Sequence, residues 1–352
     1  MMVVLSAARP PEFDPAALEQ FLRARLAGPA GAFSLRRVAG GQSHPTFFAT
    51  LGARRMVLRK KPAGAVLPSA HAVDREYRVI SALAATDALV PRAILYCDDA
   101  SVVGTPFYLM ERLEGRVFHT ADLPGVAPIE RGAMYLSMAE TLARLHDVDP
   151  EAIGLSDFGR LGNYFARQVR RWTAQYQAAR WRNLPDLDTL GAWLPEHLPP
   201  EEPTRLCHGD FRIGNLMFHP VEPRVVGVLD WELSTLGQPL ADLAFSALAW
   251  ETAPDEYGGL RGLDHDALGI PPRAAYLAHY FACRRTPAPL RLLPFHTVFA
   301  LFRFAVIFEG IAARARAGTA AAEDAATVGE LGPLFARRAV EAMPLGRPAR
   351  YE

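Results

Sequence analysis

Cysteine is scarce in this chain, with three in 352 residues (Cys97, Cys207 and Cys283), far apart and odd in number. None forms a C-x-x-C pair, which argues against a disulfide framework or a thiolate zinc site and fits a reducing, cytoplasmic setting. Net charge is missing as well. Lys plus Arg and Asp plus Glu number 38 each, so the overall charge draws the chain toward neither nucleic acid nor an anionic membrane. No apolar run reaches the roughly eighteen residues needed to cross a bilayer. The longest candidate, "FHTVFALFRFAVIFEGIAA", is interrupted by His296, Arg303 and Glu309 and reads as a core helix. The opening "MMVVLSAARPPEFDP" has no basic stretch before its short apolar run and does not read as a secretory signal. Internal repeats are absent, and "AARARAGTAAAEDAA" is the one low-complexity piece.

Half the residues are hydrophobic, and the length suffices for two lobes. "DPAALEQFLRARLA" predicts a helix with Asp14 as N-cap and Pro15 at the first helical position. "FSLRRV", "TFFATL" and "RRMVLRK" read as strands, then "HAVDREYRVISALAA" as a helix, then "AILYCDD" and "TPFYLMERL" as strands. Beyond about Gly115 helical periodicity dominates, in "PIERGAMYLSMAETLARLHDV", "YFARQVRRWTAQYQAARW", "PLADLAFSALAWE", "PPRAAYLAHYFACRR" and the segment after Pro294. The order predicts an α+β fold. Residues 1–113 would form a small lobe, an N-terminal helix plus a five-stranded antiparallel sheet with one helix packed on it, and 114–352 a larger, mainly helical lobe.

One strand-like island, "RLCHGDFRIGNLMFHPVEPRVVGVLDWE", interrupts the helical half. With Val221–Arg224 as a four-residue turn it reads as a hairpin in which Asn215 faces Asp230, their Cβ atoms about 5 Å apart. An amide oxygen and a carboxylate that close suit one magnesium ion, which takes one or two carboxylates and completes its shell with water and phosphate. Asp210, five residues before Asn215, reaches the side where an acceptor hydroxyl would sit. Asp-x-x-x-x-Asn followed by a strand-terminal Asp is the spacing of phosphoryl transfer, in which the first Asp receives the hydroxyl proton. By composition, Asp-x-x-x-x-Asn alone would occur about once by chance in such a chain, whereas His-Gly placed before it brings the expectation to on the order of one in a thousand. His208 has two readings, loop orientation or direct proton transfer. Glu232 either reaches a second magnesium or faces solvent, and Asp242 either braces a loop or touches the site.

The first lobe then has to hold the phosphate donor. Gly40, Gly41, Gln42 and Ser43 lie in a turn between strands whose N–H groups could cover phosphates. Arg59 shares strand parity with Val57, which is expected to line the adenine pocket, and Glu76 on the next helix can hold it; Lys60 would point outward. The backbone from Glu111 to Leu113, between the lobes, is placed to meet a purine edge.

These residues resemble the aminoglycoside phosphotransferase and choline kinase superfamily, whose fold is like that of protein kinases. "HGDFRIGN" is similar to its catalytic loop, "VLDWE" to its metal segment, and "GGQSHPTF", "VLRKKP" and "REYRVI" to its nucleotide-lobe elements. The wording of "VLRKKPAGAVLPSAHAVDREYRVISAL" is particularly similar to the phosphotransferase domain that animals fuse to certain acyl-CoA dehydrogenases. The resemblance implies ATP and Mg2+ as cofactors, Asp210 as base, and Asn215 and Asp230 as metal ligands. Arg59 stands where many relatives have lysine, and Asp-Trp-Glu in place of Asp-Phe-Gly points to the small-molecule branch. The expected partner is a small hydroxylated acceptor, not nucleic acid or membrane. "GRLGNYFARQVRRWTAQYQAARWRN", with six arginines and no acidic residue, is either a helix with an aromatic core face or a site for an anionic acceptor such as a hydroxyacid or hydroxyacyl-CoA. Competing readings are an idle pseudokinase, an aminoglycoside or macrolide kinase, and a metal-dependent hydrolase using His208, Asp210 and Asp230.

Overall fold

The computed structural model describes residues 12–26, 31–38, 44–63, 72–285, 291–319 and 324–344. Helix α1 (Pro15–Arg25) starts where Asp14 accepts the Ala16 N–H at 2.9 Å. Strands β1 (Phe33–Arg37), β2 (Thr46–Leu51) and β3 (Arg54–Lys60) precede α2 (Val73–Leu83), and β4 (Ala93–Cys97), α3 (Ala100–Val103) and β5 (Phe107–Glu111) follow. The short α3, capped by Asp99, is an element the strand pattern does not announce. All five strands form one antiparallel sheet in the order β1-β2-β3-β5-β4.

The pleat of β3 divides the sheet's chemistry. Met56 and Leu58 enter a core with Leu18 and Leu22 of α1, while Val57 and Arg59 face the other way. Lys60 lies on the α1 side, as its parity requires, but it is not solvated. α1 and α3 cover that face, leaving Lys60 2% exposed, its Nζ donating to Val103 O at 2.5 Å above the Phe13 ring. The expected outward position is therefore replaced by a buried one, in which burial lowers the Lys60 pKa.

The second half contains α4 (Pro128–Asp147), α5 (Tyr164–Ala179), α6 (Pro185–Glu196), β6 (Arg205–Cys207), β7 (Leu216–Phe218), β8 (Val225–Val228), β9 (Thr235–Gly237), α7 (Pro239–Ser246), α8 (His265–Leu268), α9 (Arg273–Cys283), α10 (Pro294–Arg316), α11 (Ala325–Gly329) and α12 (Leu331–Glu341). One core joins α2 to α4, α7, α9 and the short strands; another joins α5, α6, α10 and α12. β9 pairs with β6, closing the loop that carries residues 208–215. The segment after β5 docks on the β7–β8 hairpin through Arg116 and Phe218, which exchange N–H to O bonds of 2.8 and 2.9 Å. Gly115 permits that approach, since a Cβ there would lie 2.2 Å from Phe218 O. All three cysteines are free, and among the described residues no helix is long and apolar enough to cross a membrane.

Candidate active site

The hairpin is one residue out of the expected register. Leu216 opposes Val228, Met217 opposes Gly227, and a bulge shifts Phe218 opposite Val225. Residues Ile213–Asn215 form a 3-10 turn, and the Asn215 carbonyl accepts the Leu229 N–H at 2.8 Å. Asn215 therefore faces Leu229, with Asp230 one residue beyond. The bulge and the turn absorb the difference, and alternation alone could not reveal either. Asp230 has a left-handed backbone (φ 67°, ψ 68°), which aims its side chain away from the direction a continuing strand would give.

Asn215 donates from Nδ2 to Asp210 Oδ2 at 2.7 Å and to Asp210 O at 2.9 Å. Both contacts use the amide nitrogen, so the amide oxygen remains as an acceptor. Burial raises the Asp210 carboxyl above its ordinary range, opposed by the Arg212 guanidinium, the His208 ring, the Arg303 guanidinium and the Asn215 hydrogen bond. Gly209, at φ 83°, makes the turn into this loop, where a Cβ would sit 2.4 Å from Leu233 O.

The loop is braced from below. Asp242 of α7 accepts the N–H groups of His208 at 2.5 Å and Gly209 at 2.9 Å, so of its two readings the structure gives the bracing one. Burial works to neutralise Asp242, yet His146, whose Nε2 lies 3.5 Å away, and the Gly209 N–H hold its pKa below the usual carboxylate value. His208 is fully buried, its Nε2 2.9 Å from Leu229 O and its Nδ1 accepting the Asp210 N–H at 3.2 Å. These contacts define the neutral tautomer with hydrogen on Nε2 and commit both ring nitrogens to backbone. Arg303 of α10, stacked on Trp172 and Phe245, donates to Gly209 O at 2.8 Å.

Across the cleft, Arg59 pairs with Glu76 Oε2 at 3.1 Å and donates to Asp230 Oδ1 at 3.0 Å, linking the sheet, α2 and the hairpin. Burial opposes the Arg59 charge, but the Tyr108 phenol and the carboxylates of Glu76 and Asp230 raise its pKa overall. Glu76 is itself raised by burial, against the pull of Arg59 and His44, and accepts the Tyr108 O–H at 2.9 Å. His44 Nδ1 lies 3.0 Å from Glu76 and 3.3 Å from Glu232, so Glu232 faces this cluster and not open solvent. Gly40, Gly41, Gln42 and Ser43 lie outside the described residues. Glu111 and Leu113 sit where the sheet passes into the second half. The Glu111 N–H is engaged by Arg92 O at 2.8 Å, and Leu113 packs on Gly227, where a Cβ would be 2.3 Å from Leu113 Cδ1.

Beyond Asp210 a cavity of about 580 Å³, including its open mouth, runs between α4, α7 and α10, lined by Tyr135, Met138, Phe245, Phe304 and Phe335 among others. Arg212 and Tyr257 form part of its wall. The basic segment at α5 does not line it. Arg167 is tied to Leu161 O and Arg160 O, Arg180 to Asp188 and Arg182 to Glu309, while Phe165, Trp172 and Tyr176 are buried, which is the aromatic-core reading of that helix.

His44, Arg303 and His146 escape sequence reading. His44 stands beside Pro45 in a turn, which hides it, and Arg303 interrupts an apolar run, the one signal that could have marked it.

A model of the phosphotransferase enzyme family matches residues 34–293. Acyl-CoA dehydrogenase family member 10 of Mus musculus is 44% identical over 319 residues, 90% of this chain and 30% of that protein. The chain spans less than half the length of the curated relatives it matches. A crystal structure from Ralstonia eutropha, described provisionally as an aminoglycoside phosphotransferase, is 43% identical, with a TM-score of 0.85 over 94% of this chain and 98% of that one. An aminoglycoside phosphotransferase crystallised with AMP-PNP and hygromycin B shares the fold at 17% identity, with a TM-score of 0.61 over 92% and 98% of the two chains. With a kinase-like fold, a loop built as described and a family match over most of its length, the chain belongs to the phosphotransferase enzyme family and is a small-molecule phosphotransferase.

Proposed function

We propose that the protein transfers the γ-phosphoryl group of ATP, with magnesium, to a hydroxyl of a hydroxyacid or its CoA ester. Residues 1–113 act as the nucleotide lobe and 114–352 as the lobe carrying the catalytic loop, the metal segment and the acceptor site. The observation that carries this reading is the amide of Asn215, locked by Asp210 so that its oxygen is left as a hard donor. Asn215 and Asp230 would hold a magnesium ion through an all-oxygen set, and the ion would supply neutralisation of phosphate charge.

Asp210 is the base. The acceptor O–H gives its proton to the Asp210 carboxylate, the oxygen bonds to the γ-phosphorus, and the bond to the β-bridging oxygen breaks to release ADP. His208 positions this loop through backbone contacts and takes no proton from the acceptor. Arg59, steadied by Glu76, meets the phosphates as a planar fork. The backbone of Glu111 and Leu113 meets the purine edge. Use of ATP is supported by the AMP-PNP held by a relative of the same fold. Among the described residues no acidic side chain lines the cavity, which favours an anionic or neutral acceptor over a polycationic antibiotic.

The test is acceptor-dependent ADP formation from Mg-ATP with hydroxyacids, hydroxyacyl-CoAs, amino alcohols and aminoglycosides. Asp210→Asn should lower kcat by roughly 10²–10⁴. Full activity in that variant would overturn the assignment.

A further inference from the structure

Arg212 is odd for its position. A cation two residues from the base opposes proton uptake by Asp210, yet its only hydrogen bond among the described residues is a long one, from Nε to Asp210 Oδ2 at 3.5 Å. Among the described residues its two Nη groups therefore have no hydrogen-bond acceptor, and the guanidinium, with its side chain 37% exposed, packs between two neighbours. On one side it lies 5.7 Å from the Tyr257 ring centroid, and on the other a Cβ at Gly214 would come within 2.7 Å of Nη1. Tyr257 is set for this at the expense of backbone strain, as a tyrosine at φ 97° followed by Gly258 at φ 68°. Its ring rests edge-on against Phe304, Phe308 and Phe335.

Three of the cavity's other polar side chains already have backbone acceptors, and His119 lies at an exposed part of the lining. Tyr135 O–H donates to Ala121 O at 2.6 Å, Thr252 to Leu248 O at 3.2 Å, and Ser246 to Leu243 O at 3.0 Å. An apolar pocket with one clamped guanidinium at its end nearest the base fits an acceptor with an apolar chain and an oxygen acceptor a short distance from its hydroxyl.

We propose that Arg212, shelved on Tyr257, is the specificity-determining residue that takes the acyl oxygen of the acceptor, so that the hydroxyl is delivered to Asp210. This rests on the phosphotransferase reading above. A free carboxylate and a thioester carbonyl share the acyl oxygen, and the assay separates them.

The probes are C5–C8 hydroxyacids with the hydroxyl at successive carbons, their CoA thioesters, and alkanols of equal length in which a methyl replaces the acyl group. In the wild type, kcat/KM should favour an acyl-bearing acceptor over its alkanol by about 30-fold or more. Arg212→Gln should reduce that ratio at least tenfold, chiefly by raising acceptor KM, and Tyr257→Leu should move it in the same direction. Whichever of acid and thioester loses more in Arg212→Gln is the form recognised. Equal losses for acyl and alkanol acceptors, expressed in kcat, would assign Arg212 to the transferred phosphate and overturn the proposal. A wild type that turns over none of the probes would overturn it together with the hydroxyacid reading. ADP formed with amino alcohols or aminoglycosides alone would overturn both while leaving the phosphotransferase chemistry standing.

Discussion

Asp242→Asn tests whether the loop of residues 208–215 depends on a brace 33 and 34 residues from the N–H groups it holds. The carboxylate accepts two backbone N–H groups, from His208 at 2.5 Å and Gly209 at 2.9 Å, in full burial. An amide of the same shape keeps one oxygen and turns an NH2 toward the other donor. The loss of one bond to a charged acceptor is about 1.5–3 kcal/mol, and the stranded buried N–H adds about 1–3, so about 2.5–6 kcal/mol is expected in total. With unfolding entropy near 2.1 cal/mol/K per residue, a chain of this length should melt about 3–8 °C lower. Displacing the loop by even about 1 Å also lowers kcat by up to about 10². Calorimetry and acceptor-dependent ADP formation, read 20 °C or so below the melting point, separate the two effects. A variant that melts within a degree of the wild type with unchanged kcat would falsify the bracing role.

Glu76→Gln removes the carboxylate that shares Arg59 with Asp230; about 3 kcal/mol of stability should be lost and ATP should bind about tenfold more weakly, by denaturant titration and equilibrium binding. Unchanged affinity would separate the pair from the nucleotide. Gly115→Ala places a methyl 2.2 Å from Phe218 O, and the forced shift should cost about 1–3 kcal/mol in urea melts; a neutral result would mean that the docking is loose. His296, 2% exposed, accepts the Leu293 N–H at 3.0 Å, and burial lowers its pKa from 6.5 to about 4. The unfolded chain takes up that proton first, so the wild type should lose about 3 kcal/mol as pH falls from 6.5 to 4, and His296→Gln should lose less over the same interval in paired urea melts. Identical pH dependence in both proteins would remove His296 as the cause.

Elements whose information is local were legible without coordinates. The alternation in "TFFATL" and "RRMVLRK", the Asp14 cap and the 3.6-residue periods report contacts between near neighbours, and each of these segments carries a recognisable signature. Strand parity likewise separated Arg59 from Lys60, because a pleat admits two faces. Tertiary structure decided what lies on each face. Lys60 is buried because α1 and α3 cover its side, and the hairpin register slips because a bulge and a 3-10 turn rearrange backbone hydrogen bonds. Asp242, Arg303 and His44 reach their partners across long stretches of chain, and the cavity beyond Asp210 takes its walls from segments between His119 and Phe335. Proximity of that kind is set by how helices and sheet pack together, a many-body outcome that no spacing along the chain encodes.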